Sequence, residues 1–334
     1  MTDALAKDEN TTFQELASYR VGGKPFTVSE YNHPAPSDYQ VEMFPEVASF
    51  GMLQDWDAIF QFDYGNNGEG RAKDGLDGFF ALQGNTNQEA FTPAAALIFR
   101  AGLIAPLISK IVCHIPPATS YSTTHDWMSG VWIDANGGKF PDLLANRMET
   151  IVDSSVTIPT IMRVTNKTLP ASLAQALMTP SGSQYRALGR SAISLTGYVG
   201  GQTADLGMAS LTFPQFGNNF AALTMTALDG KRLDDSGHIL LTIGGHTQNI
   251  DMIWNDDRMG LSHNSRARNA WGHAPAQTEG IPATVMLANA NVKHVWALDP
   301  TGARGKEIPV TASGGKASFT IGPDYRTVWY EIGE

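Results

Sequence analysis

One glutamate, Glu30, has the neighbours that a catalytic carboxylate needs. It ends the apolar, β-prone run 25–30 and is followed by Tyr31, Asn32 and His33. Hydrogen bonds from such side chains can keep a carboxylate ionised and oriented, as a nucleophile requires. A glutamate that caps or salt-bridges the end of a strand shows the same spacing. The pattern therefore indicates a candidate, and both interpretations stay open.

The segments around Glu30 alternate between helical and strand patterns. The predicted helices cover 11–20, 38–54 (with Asp38 as its cap) and 91–104, and the predicted strands cover 25–30 and 57–65. This alternation is typical of parallel α/β structure with right-handed crossovers. In α/β barrels the active site lies at the C-terminal ends of the strands, and Glu30 is expected at such an end. Two strands are too few to close a barrel.

A different pattern begins at about residue 186. Short β-prone runs separated by turn residues cover 220–228, 238–246, 283–288, 294–299, 317–322 and 327–332. Regularly spaced short strands favour an antiparallel β-sandwich. We therefore predict three regions: a partial β/α barrel segment at 1–110, a connecting region at 111–185 and a β-sandwich at 186–334. The connecting region has no clear period apart from a helix predicted over 142–152.

The composition limits which partners and which cellular compartment we expect for this protein. The net charge of -10 would repel a polyphosphate, so we expect no nucleic acid partner. The first residues are polar, and no apolar run reaches the roughly 18 residues of a membrane span. We expect a soluble cytoplasmic protein, unless a leader precedes this chain. The one cysteine, Cys113, lies in an apolar run and is expected to be a buried thiol.

The remaining motifs are weak. The chain has no nucleophile elbow and no phosphate-binding loop. Its sandwich histidines lack paired ligand spacing, and the loop 134–138 lacks the later glutamate of a calcium site, so we expect no metal and no cofactor. Four tryptophans fall in the sandwich region: Trp254, Trp271, Trp296 and Trp329. Core packing is the favoured interpretation for this group, and Trp271, in a polar loop, is the better candidate to face a saccharide.

Parts of the sequence resemble a known family. The run 23–65, with V-S-E-Y-N-H-P at 28–34, resembles bacterial clan-A retaining glycoside hydrolases, which are TIM-barrel enzymes. The segments similar to the closing part of that barrel and to its appended β-sandwich are 77–83, 91–102, 252–258, 279–290, 295–310 and 319–332. The resemblance covers roughly 13–110 and 215–334, and it implies a truncated barrel followed by a sandwich.

The resemblance implies roles for several residues. Glu30, at the end of the seventh barrel strand, would be the nucleophile. Asn32 and His33 would line the sugar subsite. Asp63 and Tyr64, at the end of the eighth strand, would contact the substrate or orient Glu30.

The chain departs from this family in one important way. A retaining mechanism needs two carboxylates about 5–5.5 Å apart, and the family's acid/base lies on a fourth strand that this sequence lacks. A replacement could come from the loop after the second predicted strand, with Glu69 as the tentative acid/base and Asp74 or Asp77 as other options. The site could also be completed across a subunit interface, because uncovered strand edges favour a homo-oligomer. Loss of activity is the third explanation.

The expected function is that of a retaining β-glycosidase on small saccharides or aryl glycosides, such as galactosides or glucosides. The alternative is a non-catalytic remnant that binds carbohydrate or acts in assembly. A hydrolase of another bond type is a further option. A second carboxylate near Glu30 would favour the glycosidase.

Overall fold

Sheets dominate this structure, a computed structural model that describes residues 12–65, 74–120, 127–139, 143, 145–164, 184–255 and 270–334. About 37% of the residues are in strands and 19% in helices, so the mixed α/β and β-rich class is confirmed. Within these residues, no helix combines the length and the apolar character needed to cross a membrane.

The first region alternates helices and strands as predicted. Its elements are α1 (Thr12–Ser18), β1 (Thr27–Tyr31), a 3-10 turn (Gln40–Glu42), α2 (Met43–Leu53), β2 (Ala58–Gln61) and α3 (Thr86–Arg100). β1 and β2 pair in parallel, with Thr27 opposite Ala58. They form a two-stranded sheet, so a larger barrel stays a prediction.

Two helices begin at other residues than predicted, for identifiable reasons. α3 begins before residue 91 because the side chain of Asn85 caps it, accepting a hydrogen bond of 3.3 Å from the Gln88 N–H. Asp38 does not cap α2. Its carboxylate lies 3.0 Å from Nδ1 of His246 instead, and the chain enters α2 through the 3-10 turn.

The connecting region forms a small mixed sheet. Its elements are β3 (Lys110–Ile115), α4 (Pro117–Ser120), α5 (Trp127–Ala135), β4 (Arg147–Val152) and β5 (Thr160–Val164). β3 is central, parallel to β4 and antiparallel to β5. The helix predicted over 142–152 is wrong, because pairing with β3 buries Met148 and Thr150 in a way that local sequence does not reveal. Cys113 on β3 is buried, as predicted.

The last region is an antiparallel sandwich, as predicted. Its strands are β6 (Gln184–Leu188), β7 (Ala192–Tyr198), β8 (Thr203–Asp205), β9 (Ala209–Thr212), β10 (Phe220–Ala227), β11 (His238–Gly244), β12 (Thr247–Ile250), β13 (His273–Thr278), β14 (Ala283–Leu287), β15 (His294–Leu298), β16 (Arg304–Ile308), β17 (Thr311–Ser313), β18 (Lys316–Ile321) and β19 (Trp329–Gly333). One sheet has the order β16-β15-β19-β11-β10-β7-β6 and a second has the order β17-β18-β14-β9-β8, while β12 and β13 form a separate two-stranded sheet. Alternate apolar side chains of both sheets share one core, including Leu195, Leu223, Leu211 and Val285.

Helices α2 and α3 rest on the larger sheet of the sandwich. Phe91 of α3 packs with Phe220 and Ala222 of β10. The indole of Trp329 donates a 2.8 Å hydrogen bond to the Ala90 carbonyl, so this tryptophan joins the two regions at the surface of the sheet. These contacts hold the turn before α2, and with it the end of β1, against a rigid support.

Candidate active site

A cavity of about 200 Å³ lies at the C-terminal end of β1. Its lining consists of Thr12, Glu30, Tyr31, Asn32, His33, Pro34, Ser37 and Glu42. Three of the predicted site residues, Glu30, Asn32 and His33, therefore meet at one cavity. The sequence interpretation did not include Glu42, which also lines this cavity.

Glu30 is displayed by an irregularity of its strand. Val28 pairs with Ile59 and Tyr31 with Gln61, so β1 uses one residue more than β2 over this interval. Such a bulge re-aims side chains, and both Ser29 and Glu30 are exposed here. Among the residues that the structure describes, the Glu30 carboxylate has no hydrogen-bond or ion-pair partner. The group is open to a ligand.

A short chain of contacts crosses the floor of the cavity. The hydroxyl of Tyr31 lies 3.0 Å from Nε2 of His33, and Nδ1 of His33 lies 3.5 Å from Oε1 of Glu42. Burial lowers the pKa of His33 to about 4, so its ring is neutral at physiological pH. A neutral ring with its proton on Nδ1 satisfies both contacts, because Tyr31 then donates to Nε2.

Behind Glu42 lies a second buried carboxyl group, that of Glu46. The two side chains share a hydrogen bond, and the Thr196 hydroxyl of β7 donates to Oε1 of Glu46. Within the described part of the chain, Oε2 of Glu46 is buried without a hydrogen-bond partner. Burial raises the pKa of Glu46 to about 8, and the same burial, with Glu46 and Glu42 nearby, raises the pKa of Tyr31 well above its ordinary range.

Asn32 joins the ends of the two parallel strands. Its side-chain amide donates to the carbonyls of Phe62 and Phe80, the latter at 2.6 Å, and its oxygen accepts a 3.1 Å hydrogen bond from Gln88 of α3. These bonds use both donors of the amide. Asn32 therefore fixes the loops around the cavity in addition to lining it.

Asp63, Tyr64 and Trp271 lie outside the lining of this cavity. Asp63 and Tyr64 follow β2 but are not part of the lining, and the backbone of Asp63 pairs with Phe80 and Leu82 at 3.1 and 2.9 Å. Trp271 precedes β13 and packs edge-to-face on Phe79, with ring centroids 5.6 Å apart. Glu69 lies outside the described residues.

Exposed aromatic rings surround the end of β2. They are Phe60, Phe62, Tyr64, Phe79 and Phe80, with 40% to 67% of each side chain accessible. Phe62 and Phe80 have centroids 5.8 Å apart and are tied to Asn32 through their carbonyls. Rings of this kind can stack on the faces of sugars or on aryl groups, and we call these five residues the aromatic rim.

No family model, curated protein or solved structure matches this chain. Geometry and chemistry therefore carry the functional argument, and the resemblance to clan-A glycosidases stays a prediction. Within the described ranges, no group of three or more His, Cys, Asp or Glu side chains could hold a metal ion.

Glu42 and Glu46 were missed because they lie in a segment that was interpreted only as an amphipathic helix. A signal was present in the sequence. The two glutamates are four residues apart, hence on one helical face, within the otherwise apolar run 41–53. Carboxylates are almost never fully buried unless they are paired, so two of them at this spacing in an apolar run point to a shared site.

Proposed function

We propose that this chain is a retaining glycoside hydrolase for small saccharides or aryl glycosides, with Glu30 as the nucleophile. One observation carries the proposal: Glu30, displayed by a bulge at the C-terminal end of a parallel strand, lines the same cavity as a second carboxyl group, Glu42. A retaining mechanism requires two carboxyl groups at one site, a nucleophile and an acid/base. The clan-A resemblance of residues 28–34 supports the same assignment.

The mechanism would run in two displacements. Glu30 attacks the anomeric carbon to form a glycosyl ester, and water then hydrolyses that ester with retention of configuration. An exposed carboxylate that has no partner among the described residues keeps its nucleophilic oxygens available for this attack.

A panel of nitrophenyl glycosides provides the test. We expect hydrolysis of at least one member, loss of activity by a factor of about 10⁴ or more in Glu30→Gln, and trapping of Glu30 by a 2-deoxy-2-fluoro glycoside, seen as a labelled peptide by mass spectrometry. Glu307→Gln, an exposed sandwich carboxylate paired with His294 at 2.6 Å, is the matched control and should keep full activity. Inactivity of the purified wild-type protein on the whole panel, or an active Glu30→Gln variant, would refute the proposal.

The aromatic rim favours a second candidate, a carbohydrate-binding protein without catalysis. Exposed aromatic patches often mark binding surfaces, and β1 and β2 each have a single pairing partner in the described structure, which leaves sheet edges suited to self-association. This candidate predicts saccharide binding by calorimetry that weakens in Phe79→Ala and Trp271→Ala but is unchanged in Glu30→Gln, together with no hydrolysis. Measuring the mass in solution tests the homo-oligomer.

A further inference from the structure

We infer that Glu42 is the proton donor of this site, acting as the acid/base partner of Glu30. The inference rests on the proposed glycosidase function and deepens it. It assigns the acid/base role of the retaining mechanism to a residue of the 3-10 turn that precedes α2.

Position is the first argument. Glu30 and Glu42 are the only carboxylate residues in the described lining of the cavity. They approach it from different elements, the bulge of β1 and the 3-10 turn before α2. Glu30 is exposed, whereas only 3% of the Glu42 side chain is accessible. The exposed carboxyl group suits the role of the nucleophile, and the buried one suits the role of the acid.

Orientation is the second argument. Nδ1 of the neutral His33 ring contacts Oε1 of Glu42 at 3.5 Å, and the ring is held from its other side by the Tyr31 hydroxyl. On the far side, Glu46 shares a hydrogen bond with Glu42 and is itself fixed by Thr196. The Glu42 carboxyl group is therefore positioned by partners on both sides.

The buried Glu42–Glu46 pair retains the proton that this role requires. Two carboxyl groups in contact inside a protein cannot both ionise easily, so the Glu42–Glu46 pair keeps a proton at neutral pH. Among the described residues, the charged and titratable groups packed around the pair are Tyr31, whose pKa is raised, and His33, whose pKa is lowered, with Tyr185 and Arg186 of β6 beside the Glu46 end. Burial, which raises the pKa of Glu46 to about 8, agrees with a retained proton.

The chemical steps balance with these two residues. As Glu30 forms its bond to the anomeric carbon, the bond to the leaving oxygen breaks and the Glu42 carboxyl proton moves to that oxygen. Water then attacks the anomeric carbon, Glu42 takes one proton from the water, and the ester bond to Glu30 breaks. Glycoside and water give sugar and alcohol, and both carboxyl groups return to their first state.

The test uses leaving groups of different acidity in the full-length protein. A general acid matters most for poor leaving groups, so Glu42→Gln should lower kcat/KM by about 10²-fold or more for a methyl or 4-methoxyphenyl glycoside. For a 2,4-dinitrophenyl glycoside, whose phenolate leaves unaided, kcat/KM should fall by less than about 10-fold. Added azide should then give a glycosyl azide of retained configuration, because the uncharged glutamine no longer repels an anion as the Glu42 carboxylate does in the second step.

Two further variants make the outcome decisive. Glu89→Gln alters an exposed carboxyl group on α3 that accepts from the Gly84 N–H at 3.3 Å outside the cavity, and it should leave both rates unchanged. Glu42→Asp keeps a carboxyl group but places it farther from the leaving oxygen. The loss of kcat/KM in this variant should therefore also grow as the leaving group becomes poorer. Glu42→Asp replaces Glu42→Gln if the glutamine variant does not fold.

The result that overturns the inference is a loss independent of the leaving group, or no loss, in the Glu42 variants while Glu30→Gln is inactive. An inactive wild-type protein overturns the proposed function instead. The two failures are thus distinguishable.

Discussion

Thr196 donates its hydroxyl hydrogen bond to Oε1 of Glu46, a residue 150 positions earlier in the chain. Thr196 lies on β7 of the sandwich and Glu46 on α2, directly behind the cavity that Glu30 lines. Both groups are buried. The sandwich therefore contributes to the electrostatics of the candidate site in addition to supporting it.

Thr196→Val should destabilise the protein. Valine keeps the shape of threonine but removes the donor, so Oε1 of the buried Glu46 loses its hydrogen bond from the Thr196 hydroxyl. We expect a loss of roughly 1–3 kcal/mol in the free energy of unfolding, measured by urea titration. Thr224→Val is the matched control, because the Thr224 hydroxyl on β10 is buried and has no partner in the described structure, so its loss should be neutral or stabilising. Equal effects of the two substitutions would contradict the assignment.

The stability of the protein should depend on pH through Glu46. Burial raises its folded pKa from 4.5 to about 8, so the folded state binds more protons than the unfolded state between these values. Stability from this group is complete below about pH 4.5 and is lost as the pH rises towards 8. Glu46→Gln carries no titrating proton and can still meet Thr196 and Glu42.

The measurement is the difference in free energy of unfolding between the wild type and Glu46→Gln across pH 5 to 9, a range of about four units around the folded pKa. That difference should shift steadily in favour of the variant as the pH rises, and Glu89→Gln should show a smaller change because Glu89 is exposed. A pH-independent difference would show that Glu46 titrates normally in the folded protein.

Asn32 should prove to be a residue that positions the site. Asn32→Asp places a carboxylate where the amide now donates to the carbonyls of Phe62 and Phe80, so repulsion replaces two hydrogen bonds. We expect a loss of about 2–4 kcal/mol in the free energy of unfolding, larger than the effect of Asn32→Ala, which only removes the bonds. A matched surface substitution is Asn291→Asp, whose amide makes only 3.4 Å contacts with Asp235. If Asn32→Asp is as stable as the wild type, the bonds described for its amide are not made.

The local features of this fold can be predicted from the sequence, whereas the pairing of strands that lie far apart in the sequence cannot. Strands such as Phe220–Ala227 and Ala283–Leu287 show their type through alternation and turn residues, and Glu30 stood out through its polar neighbours. β4 was missed because its identity depends on β3, more than thirty residues earlier. Local propensity carries no information about such a partner.

The candidate site divides in the same way. Glu30, Asn32 and His33 are contiguous, so one motif revealed all three. Glu42 and Glu46 gave only the weaker signal of two carboxyl groups four residues apart in a largely apolar run, and the contact of Glu46 with β7 depends on tertiary packing. Asp63 and Tyr64 followed the right strand but lie outside the cavity lining, because the direction of a side chain after a strand end depends on the loop that follows.

His33 should remain neutral in the folded protein well below the ordinary range of histidine, with its proton on Nδ1. Burial lowers its pKa from 6.5 to about 4, and the Tyr31 hydroxyl occupies Nε2 as a donor. Long-range ¹H–¹⁵N correlation spectra from pH 5 to 8, about three units spanning the ordinary histidine pKa, should show one constant His33 pattern of the Nδ1–H tautomer.

The exposed His273 provides the internal control, because hydrogen bonds to the Ala274 carbonyl and Asp251 raise its pKa, so its ring should be protonated at the acidic end of this range. Tyr31→Phe removes the hydroxyl and retains the ring that stacks on Phe13 at 6.1 Å, so His33 should then show a mixture of tautomers. An Nε2–H tautomer in the wild type would reverse the direction of the hydrogen bonds between Tyr31, His33 and Glu42, since His33 would then accept from a protonated Glu42 instead of donating to it. Titration of His33 near 6.5 would show instead that the ring is solvated and does not connect Tyr31 with Glu42.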